Sequence, residues 1–536
     1  MKEFYRGLSK PGIVVGLLLY SESLSPSLLP RSTLTQAIMS GLFMSIGYGI
    51  GAIGGYINRK YIATRFQGYE IPEGPVLLLV VALALIVTFE RVSYQEAQAA
   101  VLGIDSSGPN PFMVIIGMLA IGSFFLTIGR TIRRVSHWVR MHLHKRATKA
   151  LAFTGSWLVV GVLIYFFFSS SLFLLGLALE GYSDFGTNRY SQPKTSLRSG
   201  GPGSLVNWDN LDIKGRRFVT SGPSVQDIAD LTGQPASEPI RVYGSLNQES
   251  SVEARVQLVL DELERTGAYD RSHIVLFTPS GTGWVNETAV DSVEYLLGGD
   301  VASAALQYSN ISSFLQYVVD RDVAETSSSL MTEKLAERLQ QIAEPERPRL
   351  VVYGESLGSM GSQSFFVDKN IDDFDDYIDG AVWVGSPSAS RLWTELRAGA
   401  DKTNGAPIVG EGEIVRFGTS SMEMTSLKTN WGDTRIALLY NNTDPVVWYS
   451  AQLAFTQPEW LMPPYPEGIS DRMRWKPLLT MTQIIIELGP SGSMPSGVGH
   501  TYDEEIPRVF AEVLQGGAWG KFQTDQLVDT VLGRQF

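Results

Sequence analysis

Long apolar runs separated by short polar connections fill the first third of the chain. Residues 34–57, 75–89, 111–129 and 150–178 are dominated by Leu, Ile, Val, Phe, Ala and Gly, the composition of helices that cross a bilayer in roughly 20 residues. The run 75–89, "PVLLLVVALALIVTF", is short for that purpose. A fifth run, 11–29, is apolar in its first half and polar in its second, and is expected to be a span with a polar half. Lys2, Arg6 and Lys10 ahead of a short apolar core also fit a signal peptide. Glu22 in this run needs a partner or water, since a lone carboxylate is costly in lipid. Either the segment lines a polar groove or it lies at the interface.

Beyond residue 180 the pattern changes. Residues 181–238 are rich in Gly, Ser, Pro and Asn with little periodicity, as in a linker or collar. From 239 onward, strand-like runs at 240–246, 273–279, 301–309, 349–354, 379–387 and 434–445 alternate with amphipathic stretches such as 252–267 and 328–343. In 252–267, Val256, Val259, Leu260 and Leu263 fall on one helical face. This alternation predicts a mostly parallel sheet with helices on both faces. The expected organisation is a transmembrane helical bundle of about five spans (1–180), a linker or collar (181–238) and an α/β domain (239–536).

Charge sharpens the division. Residues 1–180 hold 15 Lys and Arg against 8 Asp and Glu, and the remainder holds 28 against 47, for a net charge of −12. An acidic back half argues against nucleic-acid binding, which needs clustered cations. With no cysteine in 536 residues, disulfides, thiolate metal sites and a cysteine nucleophile are excluded. Basic residues in the successive connections number 3 (Lys2, Arg6, Lys10), 1 (Arg31), 3 (Arg59, Lys60, Arg65), 1 (Arg91) and 7 (130–149). That alternation predicts five spans, a cytoplasmic N-terminus and an extracytoplasmic back domain. "GIGAIG" (49–54) matches a dinucleotide-binding pattern but follows no strand. With Gly47, Gly51 and Gly55 at four-residue steps it reads as a helix-packing face, which also offers a surface for self-association. The 130–149 segment fits either an amphipathic helix on anionic lipid or a topogenic loop.

The chemistry is carried by "VVYGESLGSMG" (351–361). A serine at a sharp strand-to-helix turn projects its hydroxyl from the sheet edge, and Gly354 and Gly358 are needed because the two backbones approach closely there. The following helix N-terminus favours negative charge at the site. Ser356 needs a base. Of the five histidines, His137, His142 and His144 lie in the basic loop and His273 opens an early strand, which leaves His500 in "SGVGHTY". The acid that orients it is expected after a late strand, where Asp444 stands in "LLYNNTDPVVWY". Asp433 precedes that strand and Asp471 lies in a charged stretch. Oxyanion donors are expected from the N–H of Leu357 and from Thr282 or Gly283 in "TPSGTGWVN".

With these residues in place, the chain resembles a bacterial family of membrane-anchored α/β-hydrolases with a multi-span N-terminal domain. The resemblance rests on "SLSPSLLPR" (23–31), "GRRFVTSGP" (215–223), "PIRVYGSL", "TPSGTGWVN", "GESLGSMG" and "NNTDPVVW". It implies an α/β-hydrolase domain with Ser356, Asp444 and His500 as catalytic residues, and it weighs against a cleaved first segment. The leading expectation is a serine esterase or lipase acting on acyl esters of envelope lipids at the outer face of a bacterial inner membrane. An envelope acyltransferase with the same residues is the alternative, and a non-catalytic membrane scaffold a third. Trp448, Trp460 and Trp475 lie between acid and base, where either a lid or core would place them. No metal, nucleotide or other cofactor is implied.

Overall fold

The computed structural model describes residues 8–58, 73–105, 108–143, 189–311, 321–400, 408–427, 429–515 and 519–534, with Gln316 and four residues between 154 and 161. The chain divides into two compact units. One is Met1–Phe173 with Ala451–Ser491, the other Leu174–Ser450 with Gly492–Phe536.

The second unit is built on a seven-stranded sheet. Its strands are β1 (Ile240–Gly244), β2 (His273–Thr278), β3 (Val301–Leu306), β4 (Arg349–Glu355), β5 (Gly380–Val384), β6 (Val415–Gly418) and β7 (Arg435–Leu439), in the order β1-β3-β2-β4-β5-β7-β6. Every pairing is parallel. Burial on both faces explains why these strands read as near-continuous apolar runs. Helices Val252–Arg265, Asp322–Leu339 and Leu357–Gln363 pack together on one side, and Glu287–Leu296, Glu505–Gln515 and Lys521–Gly533 on the other. Pairing of Thr278 with Gly354, Glu355 with Val384 and Val384 with Leu439 brings the C-terminal ends of β2, β4, β5 and β7 to one edge.

Residues 189–238, expected as linker or collar, carry helices Ile213–Thr220 and Val225–Thr232, capped by Asp212 and Ser224. Val206, Leu211, Phe218, Val219 and Ile228 sit in the sheet's main core. The buried Arg241 on β1 ties them in. Its guanidinium donates to Phe218 O (2.8 Å), Ser221 Oγ (2.9 Å), Asp291 Oδ1 (2.9 Å) and Glu294 Oε1 (2.7 Å). That contact explains both "GRRFVTSGP" and "PIRVYGSL".

The first unit holds α1 (Lys10–Ser23), α2 (Thr33–Ile57), α3 (Glu73–Val101) and α4 (Pro111–Leu143). Among the described residues two helical stretches, Thr33–Ile57 and Pro111–Val139, are long and apolar enough to cross a membrane. The expected five-span bundle is therefore not reproduced. The 14 residues of α1 reach about 21 Å at ~1.5 Å per residue, short of a bilayer core of about 30 Å, and the polar half of 11–29 leaves the helix at Ser23. The 75–89 run opens α3, whose second half carries Glu90, Arg91 and Glu96. The 150–178 run lies outside the described residues, apart from Thr154, Gly155, Leu158 and Gly161. Nor is 130–143 a separate segment, because α4 continues through it. Ile46, Ile50 and Ile53 on α2 and Phe112, Ile116, Leu119 and Phe124 on α4 are exposed, the inverse of a helix with a polar outer face. The glycine face of α2 is covered by α1. A Cβ on Gly47 would stand 2.6 Å from Val15 O, and one on Gly51 2.3 Å from Pro11 O. The surface offered for self-association is thus occupied within the chain.

Ala451–Ser491, lying between Asp444 and His500 in sequence, packs with these front helices. The link is polar and buried. Arg31, fully buried, donates from Nε to Glu487 Oε1 (3.0 Å), from Nη1 to Ser23 O (2.7 Å) and Gln36 Oε1 (2.8 Å), and from Nη2 to Ser25 O (3.0 Å). Ser27 bonds both Arg31 and Glu487. Glu22 finds its partner in Lys476. "SLSPSLLPR" therefore supplies one side of a joint. Replacing Glu487 by Ala leaves a buried guanidinium unpaired and should cost about 3–5 kcal/mol, whereas Arg31→Met with Glu487→Leu should be near neutral. Thermal unfolding of the detergent-purified chain, with limited proteolysis of 451–491, reads the difference. Equal losses in both variants would contradict this account of the joint.

Candidate active site

β4 ends at Glu355, and Ser356 follows with φ 58°, ψ −125°, a conformation sparsely populated by non-glycine residues and concentrated at functional turns. Three bonds hold it there: Ser356 N–H donates to Val384 O (2.9 Å), and Ser356 O accepts from Ser359 N–H (3.0 Å) and Met360 N–H (3.3 Å). Neither flanking glycine can be replaced without displacement. A Cβ on Gly354 would meet Gly358 O at 2.4 Å, and one on Gly358 would meet Thr278 O at 2.3 Å. The elbow is thus wedged against the end of β2, where "TPSGTGWVN" begins.

Asp444 lies beyond β7, fully buried, as the cap of the one-turn helix Pro445–Trp448. Its Oδ1 accepts Val446 N–H (2.8 Å), while Oδ2 accepts His500 Nδ1–H (2.6 Å) and Tyr502 O–H (2.5 Å). The rest of "NNTD" grips the histidine loop. Asn441 Nδ2 donates to Gly499 O (2.9 Å) and Thr501 O (3.1 Å), and Thr443 Oγ1 accepts Gly499 N–H (3.0 Å). The imidazole rests on Gly385, where an added Cβ would stand 2.6 Å from His500 Cε1. Gly385 directly follows Val384, the residue that anchors Ser356 N–H. With Nδ1–H given to Asp444, Nε2 carries the lone pair. This nitrogen is buried and has no hydrogen-bond partner among the described residues.

Burial works against a protonated His500, but the Asp444 carboxylate outweighs it, and the imidazole lies above its ordinary value. Sequence reading missed a second carboxylate nearby. Glu355 Oε2 accepts from Asn286 Nδ2 (2.8 Å) and Tyr353 O–H (3.0 Å). Burial raises Glu355, with the charge of His500 opposing the shift. Asn286 also reaches Asp503 Oδ1 (3.2 Å). The acidic residue inside "GESLG" and the tyrosine two places after His500 were the available signals.

The other candidates fall as follows. Leu357 opens the elbow helix, whose first N–H groups lack intrahelical acceptors. Gly283 N–H donates to Ser280 O (2.8 Å) within its turn, so of the two expected donors it is the one already engaged. His273 pairs with Arg349 at the opposite sheet edge, where burial lowers its pKa to about 4. His137 and His142 lie on α4, and His144 is outside the described residues. Trp448 and Trp460 are buried, and Trp475 Nε1 donates to Leu453 O (2.9 Å), so these rings serve packing.

A family model described as "Alpha/beta-hydrolase family" matches residues 240–527, and a second, "Alpha/beta-hydrolase family N-terminus", matches 24–223. The chain belongs to the alpha/beta-hydrolase family. No curated protein and no solved structure matches it. For an α/β-hydrolase the chain order serine, acid, histidine is the expected one, and Ser356, Asp444 and His500 follow it.

Asp444 stabilises the protonated imidazole, so this pair adds stability that is fully present below the unfolded value of about 6.5. It is lost as pH rises through the higher folded value. Asp444→Asn should move the His500 titration downward, read by NMR of the ring, and should flatten the pH dependence of stability in that window. An unchanged titration would contradict the assigned partner.

Proposed function

We propose that this α/β-hydrolase is a membrane-embedded serine hydrolase, an esterase or lipase that cleaves acyl esters of envelope lipids. The observation that carries the reading is the strained Ser356 elbow beside a His500–Asp444 pair seated on the neighbouring strand end. In the proposed cycle Ser356 Oγ attacks the ester carbonyl carbon while His500 Nε2 takes its proton. Asp444 holds the resulting imidazolium through Nδ1–H. The oxyanion is met by Leu357 N–H and Thr282 N–H, at about 3–4 kcal/mol per donor. Collapse expels the alkoxide, which takes the proton back from His500 and leaves an acyl-serine. Water, deprotonated by the same imidazole, releases the acid and restores Ser356.

The lipid substrate and the membrane setting rest on the front unit. Two helices of spanning length, their apolar outward faces and the 3, 1, 3, 1, 7 alternation of basic residues support a multi-pass protein of a bacterial inner membrane. In this reading it has five spans, a cytoplasmic N-terminus and an extracytoplasmic catalytic domain. An acyltransferase would use the same residues with a sugar or lipid hydroxyl in place of water.

Turnover of a p-nitrophenyl acyl ester and of a phospholipid by the detergent-purified chain tests the reading. Ser356→Ala should lower kcat by about 10⁴-fold or more. Because His500 is raised, the acidic limb of kcat/KM should lie above about 6.5. Product analysis with added glycerol separates the two chemistries: free acid alone marks a hydrolase, acylglycerol a transferase. A Ser356→Ala variant as active as wild type would falsify the assignment.

A further inference from the structure

α1, α2 and α4 wall a cavity of about 980 Å³ beside the start of α1 and the end of α2. Lys10, Arg130 and Arg133 line it, and among the described lining residues there is no Asp or Glu. Tyr48 and Tyr56 add phenols. The Tyr48 hydroxyl accepts Ser9 N–H at 3.0 Å, which fixes that ring in the wall. Other lining residues, Ile53 and Phe125 among them, are apolar and belong to helix faces that are exposed. The interior is open: a Cβ on Gly49 or Gly129 would meet nothing within 4 Å.

We propose that this cavity binds an anionic phospholipid, with the phosphate among Lys10, Arg130 and Arg133 and the acyl chains along the apolar outer faces of α2 and α4. Three observations converge on that ligand. The charge of the described lining residues is of one sign and matches a phosphodiester. The volume stands at the upper end of the roughly 300–1,000 Å³ range of small-molecule pockets, far more than a lone phosphate fills. The apolar wall continues onto exposed helix faces, which suits an amphiphile and not a free nucleotide or sugar phosphate. Basic pockets between membrane helices take anionic headgroups by this combination of charge and adjoining hydrocarbon. None of Ser356, Asp444, His500 and the loops that bear them lines the cavity, so the proposal is for a structural or regulatory lipid and not the substrate. The inference rests on the membrane reading of the front unit.

Native mass spectrometry of the full chain in maltoside micelles, titrated with phosphatidylglycerol or phosphatidylcholine, tests it. Phosphatidylglycerol should be retained preferentially, with millimolar inorganic phosphate failing to displace it. Arg130→Gln with Arg133→Gln should weaken retention roughly 30-fold, two charges near a lipid surface being worth about fivefold each. Gly129→Leu should do the same by filling the space while leaving every charge in place. Ester hydrolysis, unchanged in both variants, reports that they fold. Equal retention of the two lipids, displacement by inorganic phosphate, or undiminished retention in both variants would overturn the proposal. Alkaline carbonate washing of membranes distinguishes the underlying reading: release of the chain sinks the membrane assignment itself, whereas retention without lipid preference sinks only this site.

Discussion

The close approach of two backbones at Gly354 and Gly358 is the constraint on which the site depends. Strand, turn and helix meet so tightly that an added methyl group at either position would overlap a carbonyl oxygen, and Ser356 closes the turn at positive φ. Such a conformation costs on the order of 1–3 kcal/mol, offset by the three backbone bonds that hold Ser356 in place. Parallel register does the rest. Because β2, β4, β5 and β7 end at one edge, the loops that bear Thr282, Ser356, Gly385 and Asp444 emerge side by side, and "NNTD" draws the His500 loop onto the same rim.

A second constraint operates away from the chemistry. The segment between Asp444 and His500 in sequence is packed with the front helices, and its footing is a buried cation, Arg31, satisfied by Glu487, Gln36 and backbone carbonyls. Ion pairs of this kind add little net stability against an apolar alternative, yet removing one partner is severe. They specify geometry. Here the specified geometry is that of 451–491 against the front helices.

The legible parts were the local ones. The elbow is a contiguous motif behind an apolar strand, and His500 was reachable because the other four histidines are disqualified by position. Asp444 followed from the end of a late strand. Residues 189–238 misled by composition: their Ser and Asp are helix caps, and Gly200, Gly203 and Gly222 occupy positive φ, so a Gly/Ser-rich stretch became packed structure. Long-range contacts were illegible. Glu355 meets Asn286 across 69 residues, Tyr502 meets Asp444 across 58, and Arg31 meets Glu487 across 456. Nothing in local periodicity encodes such pairings. Nor did hydropathy foresee that the helix of the first apolar run stops after 14 residues, at the serines and prolines that follow it.

The most direct test of the central claim, that Ser356 is a nucleophile activated by His500, is covalent trapping. A fluorophosphonate incubated with the purified full chain should yield a single adduct, and peptide mass mapping should place it on Ser356. His500→Ala should slow its formation and Ser356→Ala should abolish it. No adduct on the folded wild-type chain, or the same adduct in Ser356→Ala, would contradict the account.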